Sequence, residues 1–498
     1  MNRYVGMVGI VALLMGCNSE GDAPPAADAT APATDTANAP EVAQSVRKTI
    51  EALRRGGAGG GAGGFTLPPS NAKDPLPRGG SGDAGMMLDG LSASQIAAFK
   101  PAQDDFNESE GIEEGLGPTM NLDSCGGCHA HPAIGGTSPA LNPQVAFATA
   151  EGARNQAPSF LSKTGPVREA RFVRNADGSP DGGVHGLFTI SGRSDAAGCS
   201  VRQPDFATEL ARNNVVFRIP TPLFGAGLIE NIPDREILQN QAAAAQAKIA
   251  LGIRGRTNLL LSANSISGQT NKNGNDGTIG RFGWKAQNKS LLIFAGEAYN
   301  VEMGVTNEAF PTERDETPGC QFGKTPNTDV DLDAESSIAA LSSITRFTLF
   351  MRFLAPPKPS NAVAGASVES IQNGAKLFGD TGCALCHTPT LYTYKNSAGV
   401  TTKDRAVNLF SDLLLHDMGR GLADGIQQGQ ASGREWRSAP LWGLGQRLFF
   451  LHDGRTADLR QAIAEHFSEG SEANGVTRRF FALPDAQQQD LLNFLRSL

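Results

Sequence analysis

The chain has 498 residues, 40% of them hydrophobic and 19% charged, with a formal net charge of −8. That length suits two or three domains at roughly 150 residues each, and the acidic balance argues against a dedicated nucleic-acid binder, which needs a basic face. Seven Cys are too few for a disulfide scaffold, and with only seven His each of these residues can be accounted for singly.

Residues 1–16 join Arg3 to an apolar stretch from Val8 to Met15. The stretch is too short to span a bilayer, which takes about 20 residues, and reads as an export signal. Leu14-Met15-Gly16-Cys17 resembles the lipobox of bacterial lipoproteins. The resemblance implies cleavage before Cys17, acylation of its thiol, and a periplasmic chain held at a membrane by lipid alone; Asn18 leans towards the outer membrane. From 17 to 85 the chain is rich in Gly, Pro and Ala, including the run Gly56 to Gly64. Such sequence buries too little to offset chain entropy and reads as a flexible tether; Glu41 to Arg55 is long enough for one short helix.

Leu91 to Phe106 has a helical pattern, and Ser92 and Gln95 stand at capping-box spacing. Then comes Cys125-Gly126-Gly127-Cys128-His129, matched later by Cys383-Ala384-Leu385-Cys386-His387. Cys-x-x-Cys-His is the spacing of covalent c-type haem attachment. Two thiols add to the two vinyl groups of one porphyrin, and the next residue offers an imidazole to the iron. A zinc site would need a second Cys or His pair nearby, and neither motif has one. Two motifs in an exported chain predict two covalently bound haem c groups, with His129 and His387 as proximal iron ligands.

The second motif follows a helical pattern over Glu369 to Gly382, in which Ile371, Ala375 and Phe378 recur on one face. Leu483 to Leu498 predicts a terminal helix with Leu491, Leu492, Leu495 and Leu498 as its apolar stripe. Packing of the terminal helix on the first closes a cytochrome c module. Pro356-Pro357-Lys358-Pro359 marks a boundary. The expected fold is mainly α: two cytochrome c-like haem domains, 86–358 with long irregular insertions and 359–498 as the C-terminal cytochrome c domain.

Several stretches resemble the di-haem oxidoreductase family of peroxidase type, akin to bacterial di-haem cytochrome c peroxidases: Arg218 to Glu230, Gly280 to Ala286, Val301-Glu302-Met303-Gly304, Ser411 to Gly419, Trp436 to Gly445 and Phe449 to Arg455. The resemblance runs from about residue 88 to the end. It implies a division between an electron-transfer haem with two protein ligands and an oxidant-reactive haem with an open or labile face.

For the haem of His387 the resemblance implies a sixth ligand fourteen residues after the His of His452-Asp453-Gly454, which is His466. His416 and Met418 compete for that role, and His452 is expected to hold the region between the haems through hydrogen bonds. For the haem of His129 the resemblance implies that Glu302 lies on the open face. Cleavage of a peroxide O–O bond needs a base that takes a proton from one oxygen and returns it to the other, and a carboxylate of raised pKa can do this. In the peroxidases a Gln precedes that Glu; here the corresponding stretch, Leu291 to Ala295, is apolar. Trp284 matches the aromatic residue between the haems, where an indole can carry a hole. Cys199 and Cys320 remain and read as a disulfide in an oxidising compartment, with two buried thiols as the alternative. The expected partners are hydrogen peroxide or another oxidant and an electron-donor cytochrome or similar redox protein. The competing expectations are a non-catalytic electron carrier and a peroxide-driven oxidase of a protein partner.

Overall fold

The computed structural model describes residues 67–498 apart from 119, 121, 153–156, 186–195, 260–264, 267–268, 271–278, 313–316, 318 and 394–404. The export signal, Cys17 and residues 17–66 of the tether lie outside the described residues. Among the described residues the chain forms thirteen α-helices and nine strands of two to four residues. The class is therefore mainly helical with sparse β-structure.

Helix α1 (Ala93–Phe106) begins at the capping box its sequence predicts: the Ser92 hydroxyl accepts from the Gln95 amide, and the Gln95 side chain accepts from the Ser92 amide. The short turn α2 (Cys125–Cys128) carries the first haem motif. Helix α3 (Leu291–Met303) starts under a Ser290 cap, and helix α4 (Ser343–Phe353) lies between α1 and α3. Rings bind the three together. Phe106 of α1 sits 4.9 Å from Phe350 of α4, and Tyr299 of α3 meets Phe347 edge-on at 4.9 Å. Pairs in such geometries add roughly 0.5–1.5 kcal/mol beyond the area they bury. Leu409, Leu413 and Leu414 join this core from the C-terminal part of the chain.

A small antiparallel sheet has β1 (Glu169–Phe172) at its centre, flanked by β2 (Val184–His185) and β3 (Val215–Arg218). Further on, helix α5 (Val368–Thr381) starts at a Ser367 cap and ends at Gly382, whose φ of +100° lets the chain turn into the second haem motif. A hairpin of β4 (Leu415–Asp417) and β5 (Glu435–Arg437) sets His416 opposite Trp436. Helix α6 (Leu459–Glu465) and the terminal helix α7 (Asp485–Ser497) complete this region. Helices α5 and α7 approach so closely that a Cβ at Gly374 would stand 2.0 Å from the Asp490 carbonyl oxygen. A third apolar cluster, built on Ile219, Trp284, Leu422, Trp436 and Phe449, draws residues from both sides of the Pro-rich boundary.

The end of the expected tether differs from its composition. Residues 67–85 pack on the C-terminal elements: Ala72 enters their core, and the Ser70 hydroxyl and Asn71 amide donate to Asp485. Gly and Pro deny this stretch a core of its own, but an extended segment can still satisfy its backbone against another element's side chains.

Candidate functional site

After Gly382 the second motif forms one 3₁₀ turn, Cys383–Leu385. The turn leaves His387 beside two carbonyls, with Nδ1 3.1 Å from Phe410 O and 3.2 Å from Ala439 O. A carbonyl only accepts, so Nδ1 carries the proton. Burial, helped by the nearby His466, pushes the His387 pKa down to about 4. The ring is thus neutral, and its lone pair stands on Nε2, the form a metal takes. Beside it lies a cavity of about 220 Å³ whose wall includes Cys383, Cys386, His387, Met418 and His466, with apolar side chains over much of the remainder.

His466 caps the C-terminal end of α6, and its Nδ1 donates to the Ala462 carbonyl at 2.8 Å. Burial lowers its pKa as well, so it offers Nε2 in the same tautomer. His416 lines the same cavity but is spent. Its Nδ1 lies 3.0 Å from Glu472 and its Nε2 3.1 Å from Asp412. Burial opposes its charge, yet the Cys386 sulfur and the Asp412 carboxylate hold its pKa well above the usual value. Thioether formation would remove the sulfur's part of this and leave both carboxylates. A doubly protonated ring has no lone pair to offer a metal, so of the two only His466 presents a free imidazole nitrogen to the cavity.

His452 also borders the cavity. Its ring makes no hydrogen bond among the described residues, contrary to the sequence expectation. Instead it stacks on Trp436 at 3.8 Å and 18° and meets Trp284 edge-on at 6.4 Å. Burial pushes its pKa down to about 4, so a neutral ring fills this stack. The Trp284 indole N–H donates to the Ile219 carbonyl at 2.9 Å. Trp284 lines both the large cavity and a neighbouring one of about 40 Å³.

At the first motif, Ser124 caps α2 by accepting from the Gly127 amide. His129 lies beneath the edge of Phe106, and its Nδ1 donates to the Gly136 carbonyl at 2.9 Å. Burial pushes the ring pKa down to about 4, against the support of the Gly136 and Thr221 backbone. Nδ1 is protonated here too, for the same reason as at His387.

Glu302 occupies the last turn of α3, just before Gly304 ends the helix at a φ of +79°. Val301 and Met303 beside it are buried, while its own side chain is accessible. Protein nonetheless surrounds it closely enough for burial, with repulsion from Glu169, to push its pKa up to about 8 against the attraction of Arg171. Water reaching the carboxylate offsets part of that push. The side chain is thus accessible to solvent and set among the charges of Glu169, Arg171 and Glu297. Its charge raises the pKa of both Cys125 and Cys128, which locates it near the first motif.

The apolar start of α3 supplies Glu302 with no polar neighbour. The charges that act on it are Glu297, further along α3, and Glu169 and Arg171 of β1, which pair at 2.9 Å. The alternation Glu169-Ala170-Arg171, which sets both charges on one strand face, was the sequence signal for them. Arg437 and Arg447, on the walls of both cavities, are likewise absent from the sequence-derived candidates. Cys199 and Cys320 form a disulfide, packed with Ile112 and Ala196. Cys125, Cys128, Cys383 and Cys386 are unpaired.

The family model described as "Di-haem oxidoreductase, putative peroxidase" matches residues 167–498. That span includes Trp284, Glu302, the second haem motif and His466, and leaves Cys125, Cys128 and His129 outside. Among solved structures, the diheme peroxidase BthA of Burkholderia thailandensis is similar at 15% identity over 52% of this chain and 77% of that one, with a TM-score of 0.27. The hydrazine synthase of Kuenenia stuttgartiensis is similar at 19% identity over 33% of this chain, with a TM-score of 0.21. This chain spans 56% of that chain's length. Among curated protein sequences none matches.

Proposed function

Because this chain belongs to the di-haem oxidoreductase family, whose members are of peroxidase type, we propose that it is a periplasmic di-haem c-type peroxidase-like enzyme held to a membrane by acylated Cys17. The haem residues and the two-domain division are part of the same reading. Cys125 and Cys128 would hold one haem, with His129 as its iron ligand, in domain 86–358; Cys383 and Cys386 would hold the other, with His387 as its iron ligand, in domain 359–498, both domains being cytochrome c-like.

One observation carries the reading. His387 and His466 border one largely apolar cavity, each with Nδ1 fixed on a backbone carbonyl and Nε2 left as the lone-pair nitrogen. Two thiols at attachment spacing share that wall, so these residues fit a haem that Cys383 and Cys386 would hold and whose iron His387 and His466 would bind. This is the form suited to electron storage and relay.

When bound, the two haems supply the redox equivalents for reducing peroxide. The chain's own residues supply the rest. His129 would hold the iron of one haem, and Glu302 acts electrostatically on Cys125 and Cys128 of the same motif. Glu302 takes a proton from one peroxide oxygen and returns it to the oxygen that leaves as water. The balance is H₂O₂ plus two electrons and two protons giving two waters, with the electrons drawn from a donor cytochrome. Trp284, buried between the two cavities and held by Ile219, offers an indole through which charge can pass between the halves.

The test is an EPR spectrum of the full-length holoprotein, oxidised and then partly reduced. Low-spin ferric haem together with a high-spin signal in either state is the expected result. The absence of high-spin iron in both states would leave a non-catalytic electron carrier. High-spin iron with turnover of a protein substrate, but not of a small cytochrome, would instead indicate an oxidase of a protein partner.

A further inference from the structure

Arg447 is 92% buried, yet its guanidinium has no hydrogen-bond partner for Nε or Nη2 and no ion pair among the described residues. Arg437, on β5, reaches only carbonyls: Nε donates to Gly283 at 3.0 Å and Nη1 to Ser438 at 3.2 Å. The one carboxylate that acts on Arg437 is Asp412. Asp412 is already engaged by His416 and by the Ser438 hydroxyl. Burial pushes both guanidinium pKa values down to about 10, and the charge of Arg447 adds to that push on Arg437.

A buried guanidinium with unpaired N–H groups is among the costliest features a fold can hold; Arg447 has only the Trp284 ring, 6.0 Å away, and a second cation, the half-buried Arg437, beside it. Several other buried cations of this chain meet a carboxylate, while Arg78 and Lys248 meet backbone carbonyls. Arg496 meets Asp74, and both Arg218 and Lys285 meet Asp424. Arg437 and Arg447 form no ion pair among the described residues, and unlike Arg78 and Lys248 they line one cavity together, that of Cys383, His387 and His466. The missing counter-charge is therefore one that arrives with the occupant, and a guanidinium fork matches a carboxylate in shape.

We propose that Arg437 and Arg447 form a clamp for a carboxylate of the group bound at His387, that is, for a propionate of that haem. The inference rests on the haem reading above. The clamp engages the carboxylate at the side of the cavity that Trp284 shares, which ties the orientation of the haem to the residue between the two centres. Cationic neighbours favour the reduced over the oxidised iron, so the same pair sets the potential of the electron-storing haem. These are positioning residues, since neither reaches the axial ligands.

The experiment is an optical redox titration of the full-length holoprotein in wild type, Arg447→Met, Arg437→Met and Arg447→Lys, with the propionate bending band followed by resonance Raman. The thioether bonds keep haem content equal across the set. The midpoint potential of the low-spin haem is expected to fall in both Met variants and to fall less in Arg447→Lys, with the propionate band shifted. If the Met variants fail to fold, Arg447→Lys carries the test through the same two readouts. Unchanged potential and band, or a response confined to the haem of His129, would overturn the clamp. A wild-type chain lacking two haems by pyridine haemochrome assay would instead overturn the haem reading beneath it.

Discussion

The Asp74 carboxylate meets the Arg496 guanidinium through two hydrogen bonds of 2.7 Å, with both side chains wholly buried. The pair fastens the segment before the first helix to the last helix of the chain. Asp74→Ala leaves the Arg496 charge buried alone, which costs about 3–5 kcal/mol, and the urea midpoint of the folded chain is expected to fall accordingly. The pair also sets an acid limit. Burial opposes ionisation of Asp74, but Arg496 holds its pKa below the usual 3.8. A depressed carboxylate contributes stability above its unfolded pKa and loses it as pH falls through the folded one. In wild type this contribution is thus intact at pH 5 and decays below pH 4, and a matched acid titration of Asp74→Ala lacks that component.

Gly374 is the point of closest approach between α5 and α7. Replacing Gly by Ala inside a helix gains up to about 1 kcal/mol in helix propensity. Here the added Cβ would lie 2.0 Å from the Asp490 carbonyl oxygen and 2.6 Å from Phe494 Cβ. Forcing the helices apart costs about 1–3 kcal/mol, so the clash prevails and Gly374→Ala is expected to lower the thermal midpoint. A raised midpoint would mean that the helices part freely.

Local signals explain why some elements were legible. The Ser92 and Gln95 box, the Ile371 and Phe378 face of α5 and the leucine stripe of α7 are written within a few residues of where they act. Both Cys-x-x-Cys-His motifs are local in the same sense. The placement of residues 67–85 is not written locally: Ser70 and Asp74 are fixed by Asp485 and Arg496, more than 400 positions away. Arg437 and Arg447 carry no local signal, because a sequence does not distinguish a guanidinium on a cavity wall from a solvated one. The choice between His416 and His466 needed Asp412 and Glu472, whose approach to His416 only the fold reveals.

That choice yields a spectroscopic prediction. His466→Ala removes the imidazole that shares the cavity with His387, so the low-spin ferric EPR signal of that haem is expected to give way to a high-spin one. His416→Ala removes a ring already engaged at both nitrogens, so the low-spin signal is expected to persist. Loss of low-spin character in His416→Ala and its retention in His466→Ala would reverse the ligand assignment.

Glu302 gives the pH dependence. Burial and Glu169 push its pKa up towards about 8, against Arg171 and the water that reaches the carboxylate, so in mildly acidic solution a larger share of the carboxyl is protonated than in an ordinary Glu and cannot take a proton from peroxide. The rate of reaction with peroxide is therefore expected to rise with pH through about 8 and level off above it, the reverse of a step that needs the acid form first. Glu302→Gln removes the proton acceptor while keeping the size of the side chain. A general base of this kind contributes roughly 10²–10⁴-fold, and the variant should lose that much and show a flat profile from pH 6 to 10. Stopped-flow mixing with peroxide measures both, and an unchanged haem spectrum in Glu302→Gln separates loss of the base from loss of the site. Stability carries the opposite sign. A carboxyl whose folded pKa lies above its unfolded value favours the folded state less as pH rises between the two, so Glu302→Gln is expected to gain stability relative to wild type from pH 5 to pH 8.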